Sequence, residues 1–190
     1  MVKLAPESRV ELGIQKREGI YFYEPSKHSK ELHHYLLWGG EYTCVAPYHV
    51  KRAFMEAFLF FWIKEGELHF HYRNQSFTAR AGDIVLLDCK YLNDYAAGSE
   101  PVRFQWFHFN GGLSQRLLDS LYEHRGALFP SADLAKESAT TLFEALKWNY
   151  LDQETISVNL YQLLCSLFRI DKTNLNPHSD AVKKVVHYIQ

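Results

Sequence analysis

The chain has 190 residues, a formal net charge of −1, 47% hydrophobic and 15% aromatic residues. That length suits one domain with an extension, or two small ones, and the apolar content allows a real core. Near-neutral charge excludes a global field that draws in nucleic acid or an anionic membrane, so a complete nucleic-acid-binding protein is not expected.

The N-terminal stretch MVKLAPESRVELGIQKREG is charged and has no apolar core of a signal peptide. Three cysteines, Cys44, Cys89 and Cys165, are scattered without zinc or disulfide spacing. No run approaches the roughly 18 uncharged apolar residues of a membrane span. The reading is a reduced, soluble, cytoplasmic protein with no membrane partner.

Up to about residue 112 the chain reads as short strands. LHHYLLWGG is expected to end at Gly39-Gly40, and EYTCVAPYHV holds Pro47, which suits an edge strand or a turn. AFLFFWIKEG is strongly β-prone and stops at Gly66. ELHFHYRNQSFTA folds back around Arg73-Asn74-Gln75 as a hairpin. RAGDIVLLDC has a Gly-Asp turn, with Asp83 bonding local backbone, and then an apolar run buried on both faces. Strands at this spacing suggest a sandwich or barrel.

The last strand, FQWFHFNGG at 104–112, barely alternates. Phe104, Trp106 and His108 point one way, and Gln105, Phe107 and Phe109 the other. Asn110-Gly111-Gly112 then permits a sharp exit. Beyond it the period becomes helical. LSQRLLDSLYEHRG ends on Gly126, a plausible residue just past a helix end. FPSADLAKESATTLFEALKWNYL has Ser131 or Asp133 as candidate caps. ETISVNLYQLLCSLFRI carries two stripes. Ile156, Leu160, Leu163, Leu164 and Leu167 form one; Val158, Tyr161, Cys165 and Phe168 form the other. The second stripe either sandwiches the helix within its own domain or meets a partner across a homodimer. After the linker DKTNLNPHS, Ser179 or Asp180 could cap one more helix bearing Val182, Val185, Val186 and Ile189.

These residues resemble the AraC-type transcriptional regulators over almost the whole chain. WIKEGELHFHYRNQSFTARAGDIVLLDCKYLNDY is similar to the family's aromatic strand, glycine, and "PGD" turn before a buried strand, with Ala81 in place of the proline. Asn93, Asp94 and Tyr95 match its polar-any-aromatic triplet. WFHFNG is similar to its closing strand, and AVKKVVHYIQ resembles the opening of its helix-turn-helix domain. The resemblance implies an α+β fold: a cupin-like jelly-roll barrel followed by a C-terminal pair of antiparallel helices. The implied division is an effector-binding barrel with an N-terminal arm at 1–112, a dimerisation segment at 113–176, and a linker with the start of the DNA-binding domain at 177–190. The implied role is an effector-sensing, dimerising part that meets DNA only through a C-terminal domain beyond this chain.

In the arabinose-responsive member a tryptophan on the closing strand stacks on the sugar, with a tyrosine and an arginine beside it. Residue by residue these fall on Trp106, Tyr95, and either Lys51 with no gap or Arg52 with a one-residue shift. A flat indole covers the C–H face of a sugar while charged or hydroxyl groups bind its rim. His108 and Phe104 complete the expected lining. A histidine of the arabinose member falls on Phe104, so a saccharide is expected but not arabinose. The resemblance also gives residues 1–18 a role as an arm, with Val10, Leu12 and Ile14 docking over a filled pocket.

Two alternatives are weighed: a small metal-dependent cupin enzyme, of sugar isomerase or dioxygenase type, and a plain scaffold. The metal pattern finds only His49 near its first histidines, Leu59 near its glutamate and Asn93 at its last histidine, so no catalytic ligand set, metal or cofactor is expected. His69-Phe70-His71 reads as an outward-facing pair, with a metal site shared with His108 as the less favoured option. Cys89 reads as a buried thiol and Glu65 and Glu67 as solvated turn charges. His33-His34 is left open between ligand and solvent.

Overall fold

The computed structural model describes residues 12–169. In chain order it contains β1 (Ile14–Phe22), α1 (Lys27–Leu32), β2 (His34–Cys44), β3 (His49–Arg52), β4 (Phe58–Glu65), β5 (Glu67–Tyr72), β6 (Gln75–Arg80), β7 (Ile84–Asp88), β8 (Asn93–Ala97) and β9 (Val102–Gly111). Then follow α2 (Ser114–Arg125), β10 (Leu128–Phe129), a 3-10 turn (Asp133–Ala135), α3 (Lys136–Trp148) and α4 (Gln153–Phe168). The expected helix at 180–190 and the residue Val10 lie outside the described residues.

The strands form a six-stranded sheet, β1-β2-β9-β4-β7-β10, and a four-stranded sheet, β3-β8-β5-β6. Because side chains alternate along a strand, the first sheet presents two faces. On its inner face Tyr42, Phe61, Ile63, Val85 and Phe104 meet Leu68, Phe70, Tyr72 and Tyr95 of the second sheet. On its outer face Phe58, Phe60, Phe107 and Phe109 meet Leu118 of α2, Leu142 and Leu146 of α3, and Leu160 and Leu164 of α4. This is why residues 104–109 and Phe58–Ile63 are apolar on both sides: each side is covered by a layer. Burying one such aromatic contributes about 1.5–3 kcal/mol. The barrel followed by helices is the expected α+β architecture, with α3 and α4 packed together and α2 against α4.

Local chemistry accounts for several boundaries. Arg73 and Asn74 both have positive φ, 47° and 62°, and make a two-residue turn; Gln75, expected in the turn, already pairs with Tyr72. Asp83 Oδ2 accepts from the Arg80 amide at 2.8 Å, closing the Gly-Asp turn as expected. Gly111 has φ +90°, and a Cβ there would lie 2.2 Å from the His33 carbonyl oxygen, so the exit from β9 needs glycine. Asp152 caps α4 by accepting from the Thr155 amide.

Three expectations change, and one helix is new. Gly39-Gly40 does not end a strand; β2 runs through it to Cys44. A Cβ on Gly39 would sit 2.3 Å from the Trp106 carbonyl oxygen, so these glycines serve close strand approach rather than a turn. The arm does not extend to residue 18, because Ile14–Glu18 already pair with β2; Leu12 before them is exposed. Neither Ser131 nor Asp133 caps α3. Asp133 opens the 3-10 turn and pairs with Lys136, and α3 starts after Ala135 without a side-chain cap. The short α1, capped by Ser26, had no legible apolar period.

On α4 the stripe Ile156, Leu160, Leu163, Leu164 and Leu167 is fully buried, at most 1% exposed. The second stripe is not sandwiched within the domain. Val158 and Tyr161 are 62% and 49% exposed, while Cys165 is intermediate and Phe168 packs partly on the core.

Candidate ligand-binding site

Between the two sheets lies a cavity of about 180 Å³, partly open to solvent. It is smaller than a drug-sized site of ~300–1,000 Å³, on the scale of one small ring. Strand β9 contributes Phe104, Trp106 and His108, β3 contributes Val50 and Arg52, and β8 contributes Tyr95. Strand β2 adds Trp38 and Tyr42, β1 adds Ile20 and Phe22, and Phe61 and Tyr48 complete the wall. Five of the six expected site residues therefore surround one cavity.

Lys51 does not. On β3 the alternation sends Val50 and Arg52 to the cavity and His49 and Lys51 outward. Lys51 Nζ lies 3.3 Å from Asp94 Oδ2 and His49 Nε2 2.8 Å from Asp94 Oδ1. The one-residue shift to Arg52 is the register that reaches the interior.

Aromatic platforms dominate the site. Trp38 tilts over His108 with centroids 4.4 Å apart, and Trp106 meets Tyr42 edge-on at 5.5 Å and His108 at 5.7 Å. His108 is 2% exposed. Burial, reinforced by the Arg52 charge, pushes its pKa from 6.5 down to about 3, against a backbone hydrogen bond at Phe58 that works the other way. The ring is neutral at physiological pH. Trp106 Nε1 and His108 Nδ1 are both closed off from water, and among the described residues neither has a hydrogen-bond partner. Leaving such atoms unpaired costs about 1–3 kcal/mol each. The side chains line the cavity, but these two nitrogens themselves present no accessible surface to it.

The depressed histidine carries a pH signature. The folded protein resists protonating His108 while the unfolded chain takes the proton below about 6.5, so stability is fully present above that pH. It falls as pH drops from about 6.5 toward 3, by about 1.4 kcal/mol per pH unit at most. We expect His108→Gln to flatten this limb; urea midpoints compared between about pH 6 and 4 check it, and equal slopes would remove His108 as the cause.

The other histidines are elsewhere. His69 and His71 face outward on β5, bonded to Thr78 Oγ1 and Ser76 Oγ at 3.0 Å each, so neither shares a site with the interior His108. Among the described residues no group of three or more His, Cys, Asp and Glu side chains is placed to hold a metal ion. His34 faces neither ligand nor solvent. It is buried, with Nδ1 2.7 Å from Ser114 Oγ, and its ring stacks on Tyr161. Cys89 is a buried thiol pushed up to about 12 by desolvation. Glu65 and Glu67 are held by Arg103 and Arg80.

Sequence reading missed Trp38, Tyr42 and Tyr48. The signal was Trp38-Gly39-Gly40-Glu41-Tyr42, in which the two aromatics stand four apart and so share one strand face through the supposed strand end.

A family model described as AraC-like ligand binding domain matches residues 40–165, two thirds of the chain. The chain belongs to that family. An AraC-like ligand-binding domain is a regulatory module, and this one carries the family's cupin-type barrel and helices. No curated protein matches it. Among solved structures it is similar to an HTH_3 family transcriptional regulator from Vibrio cholerae, at 16% identity over 50% of this chain and 51% of that one, TM-score 0.39. It is similar to a Cupin_2 domain of an XRE family transcriptional regulator from Enterobacter cloacae, at 14% identity over 47% and 92%, TM-score 0.37. A predicted oxalate decarboxylase from Thermotoga maritima is similar at 13% identity over 53% and 95%, TM-score 0.37. The alignment spans about half the length of the Vibrio protein. No helix among the described residues of the AraC-like domain is long and apolar enough to cross a membrane.

Proposed function

We propose that this domain senses a small saccharide in the barrel cavity and passes the signal through a homodimer to DNA-binding segments. The observation that carries the reading is the cavity itself: Trp106, Trp38 and Tyr95 line it with aromatic surface suited to a ring, and Arg52 stands at the same cavity. In this reading the protein is a cytoplasmic sensor rather than an enzyme, with residues 1–112 as sensor, 113–176 as dimerisation segment and 177–190 leading into a helix-turn-helix domain.

A physical route supports coupling between cavity and helices. Trp38 and His108 lie on β2 and β9. Four residues up β2, the His34 amide donates to Ser157 Oγ on α4 at 3.0 Å, and the His34 ring stacks on Tyr161 of the same helix. A ligand that shifts β2 shifts α4 with it. A coupling of about 1–3 kcal/mol suffices for a strong response.

The test is a monosaccharide panel followed by tryptophan fluorescence and thermal shift. A true effector at about 100 times its Kd stabilises by about 2.7 kcal/mol, which raises Tm by roughly 5–10 °C for a chain of this size. Lys51→Ala is the outward-facing control and keeps the response. A panel in which no saccharide changes emission or Tm counts against the saccharide reading.

A further inference from the structure

The charge inventory of the cavity is lopsided. Among the described residues, none of those lining it is an aspartate or glutamate, and Arg52 is a lining residue. Lys51, Arg80 and Arg103 each pair with a carboxylate. Arg52 has no carboxylate within ion-pair distance among the described residues; its polar contact is Met55 Sδ at 3.8 Å. Its field nevertheless reaches inward, because it opposes protonation of the buried His108.

The hydrogen-bonding inventory leans the same way. A guanidinium has five N–H donors and no acceptor, and that of Arg52 is the one cation among the described residues lining the cavity. On the acceptor side the lining tyrosines, Tyr42, Tyr48 and Tyr95, bring hydroxyls that both accept and donate. A neutral sugar, with a donor on every hydroxyl, finds no carboxylate in this lining to accept from it. A ligand with surplus acceptors at one end and a hydroxyl at the other suits the set better. The planar fork of arginine matches a carboxylate with two parallel hydrogen bonds. A carboxylate entering a partly closed apolar site also needs a compensating charge.

We propose that the ligand of this cavity is a sugar acid, its carboxylate seated on Arg52 and its ring against Trp106. The inference rests on the reading of the cavity as the effector site, and it narrows the ligand class. Arg52 is the specificity-determining residue: it separates an acid from the neutral sugar of the same ring.

The experiment titrates the purified chain with two matched pairs, galacturonate against galactose and glucuronate against glucose, following tryptophan emission. The expected result is at least one uronate binding about tenfold or more tighter than its neutral partner. That preference shrinks as salt rises. Arg52→Gln abolishes the preference, Arg52→Lys keeps part of it, and both variants retain the native Tm because Arg52 is exposed. A neutral sugar that binds as well as its acid, with Arg52→Gln unchanged, overturns the sugar-acid class and leaves the cavity reading standing. Silence from all four probes removes the saccharide reading and this inference together.

Discussion

Trp106→Ala leaves the domain folded and lowers affinity for its ligand about tenfold or more, whereas Phe107→Ala, one residue along, costs about 3–5 kcal/mol of stability. The difference is which way each ring points. Trp106 is only partly buried and borders the cavity, so truncation enlarges a space that already exists. What is lost is a platform, and an aromatic contact is worth roughly 0.5–1.5 kcal/mol beyond its area. Phe107 is completely buried, stacked on Phe60 with centroids 4.5 Å apart and clustered with the helix leucines. Its removal opens a void that the sheet and helices cannot close, and the loss is a large share of the 5–15 kcal/mol that holds a typical domain. Urea midpoints and ligand titrations of both variants check the pair. A Trp106→Ala chain that unfolds would make that ring core, and the binding site would have to be sought elsewhere.

The second large effect is on association. Val158→Glu is expected to give folded monomers, because Val158 is 62% exposed on the outer stripe of α4. Tyr161 lies on the same stripe, but its ring also stacks on His34, and Phe168 packs partly on the core, so Val158 is the cleaner site. Leu163→Glu, on the buried stripe of the same helix, should unfold the domain by placing a charge at a fully buried apolar position. Sedimentation of the native chain and both variants at tens of micromolar is the measurement. A native chain that sediments as a monomer would refute the dimer proposal, whatever Val158→Glu does.

The same two helical stripes show how much was legible. The inner stripe of α4 follows from a period of 3.6, and every member proved buried. That Val158 and Tyr161 of the outer stripe stay exposed within the chain could not be read, because both stripes are apolar on paper. Only the position of the sheet says which one finds a neighbour. In the site, Trp106, His108 and Phe104 were legible as one face of a strand, because alternation is a property of a few consecutive residues. Tyr95 and Arg52 came only through resemblance, and the choice between Arg52 and Lys51 waited for β3 to be placed against β8.

Sequence alone determined what depends on neighbours along the chain. The two faces of β9, the glycine stops at Gly66 and Gly126, the turn at Arg73-Asn74 and the buried run Ile84–Leu87 are of this kind. Tertiary structure decided what depends on strands distant in sequence. Leu36 pairs with Phe109 and Trp38 with His108, so Leu37 is an extra residue, a bulge. Without it Leu36 and Trp38, two apart, would share a face. With it Leu36 packs among the helix leucines and Trp38 turns into the cavity. A bulge is a mismatch between two strands, and no property of either strand by itself reveals it. Gly39 carries the same lesson, since its missing Cβ is explained by a carbonyl oxygen of Trp106 on the neighbouring strand, sixty-seven positions away in the chain.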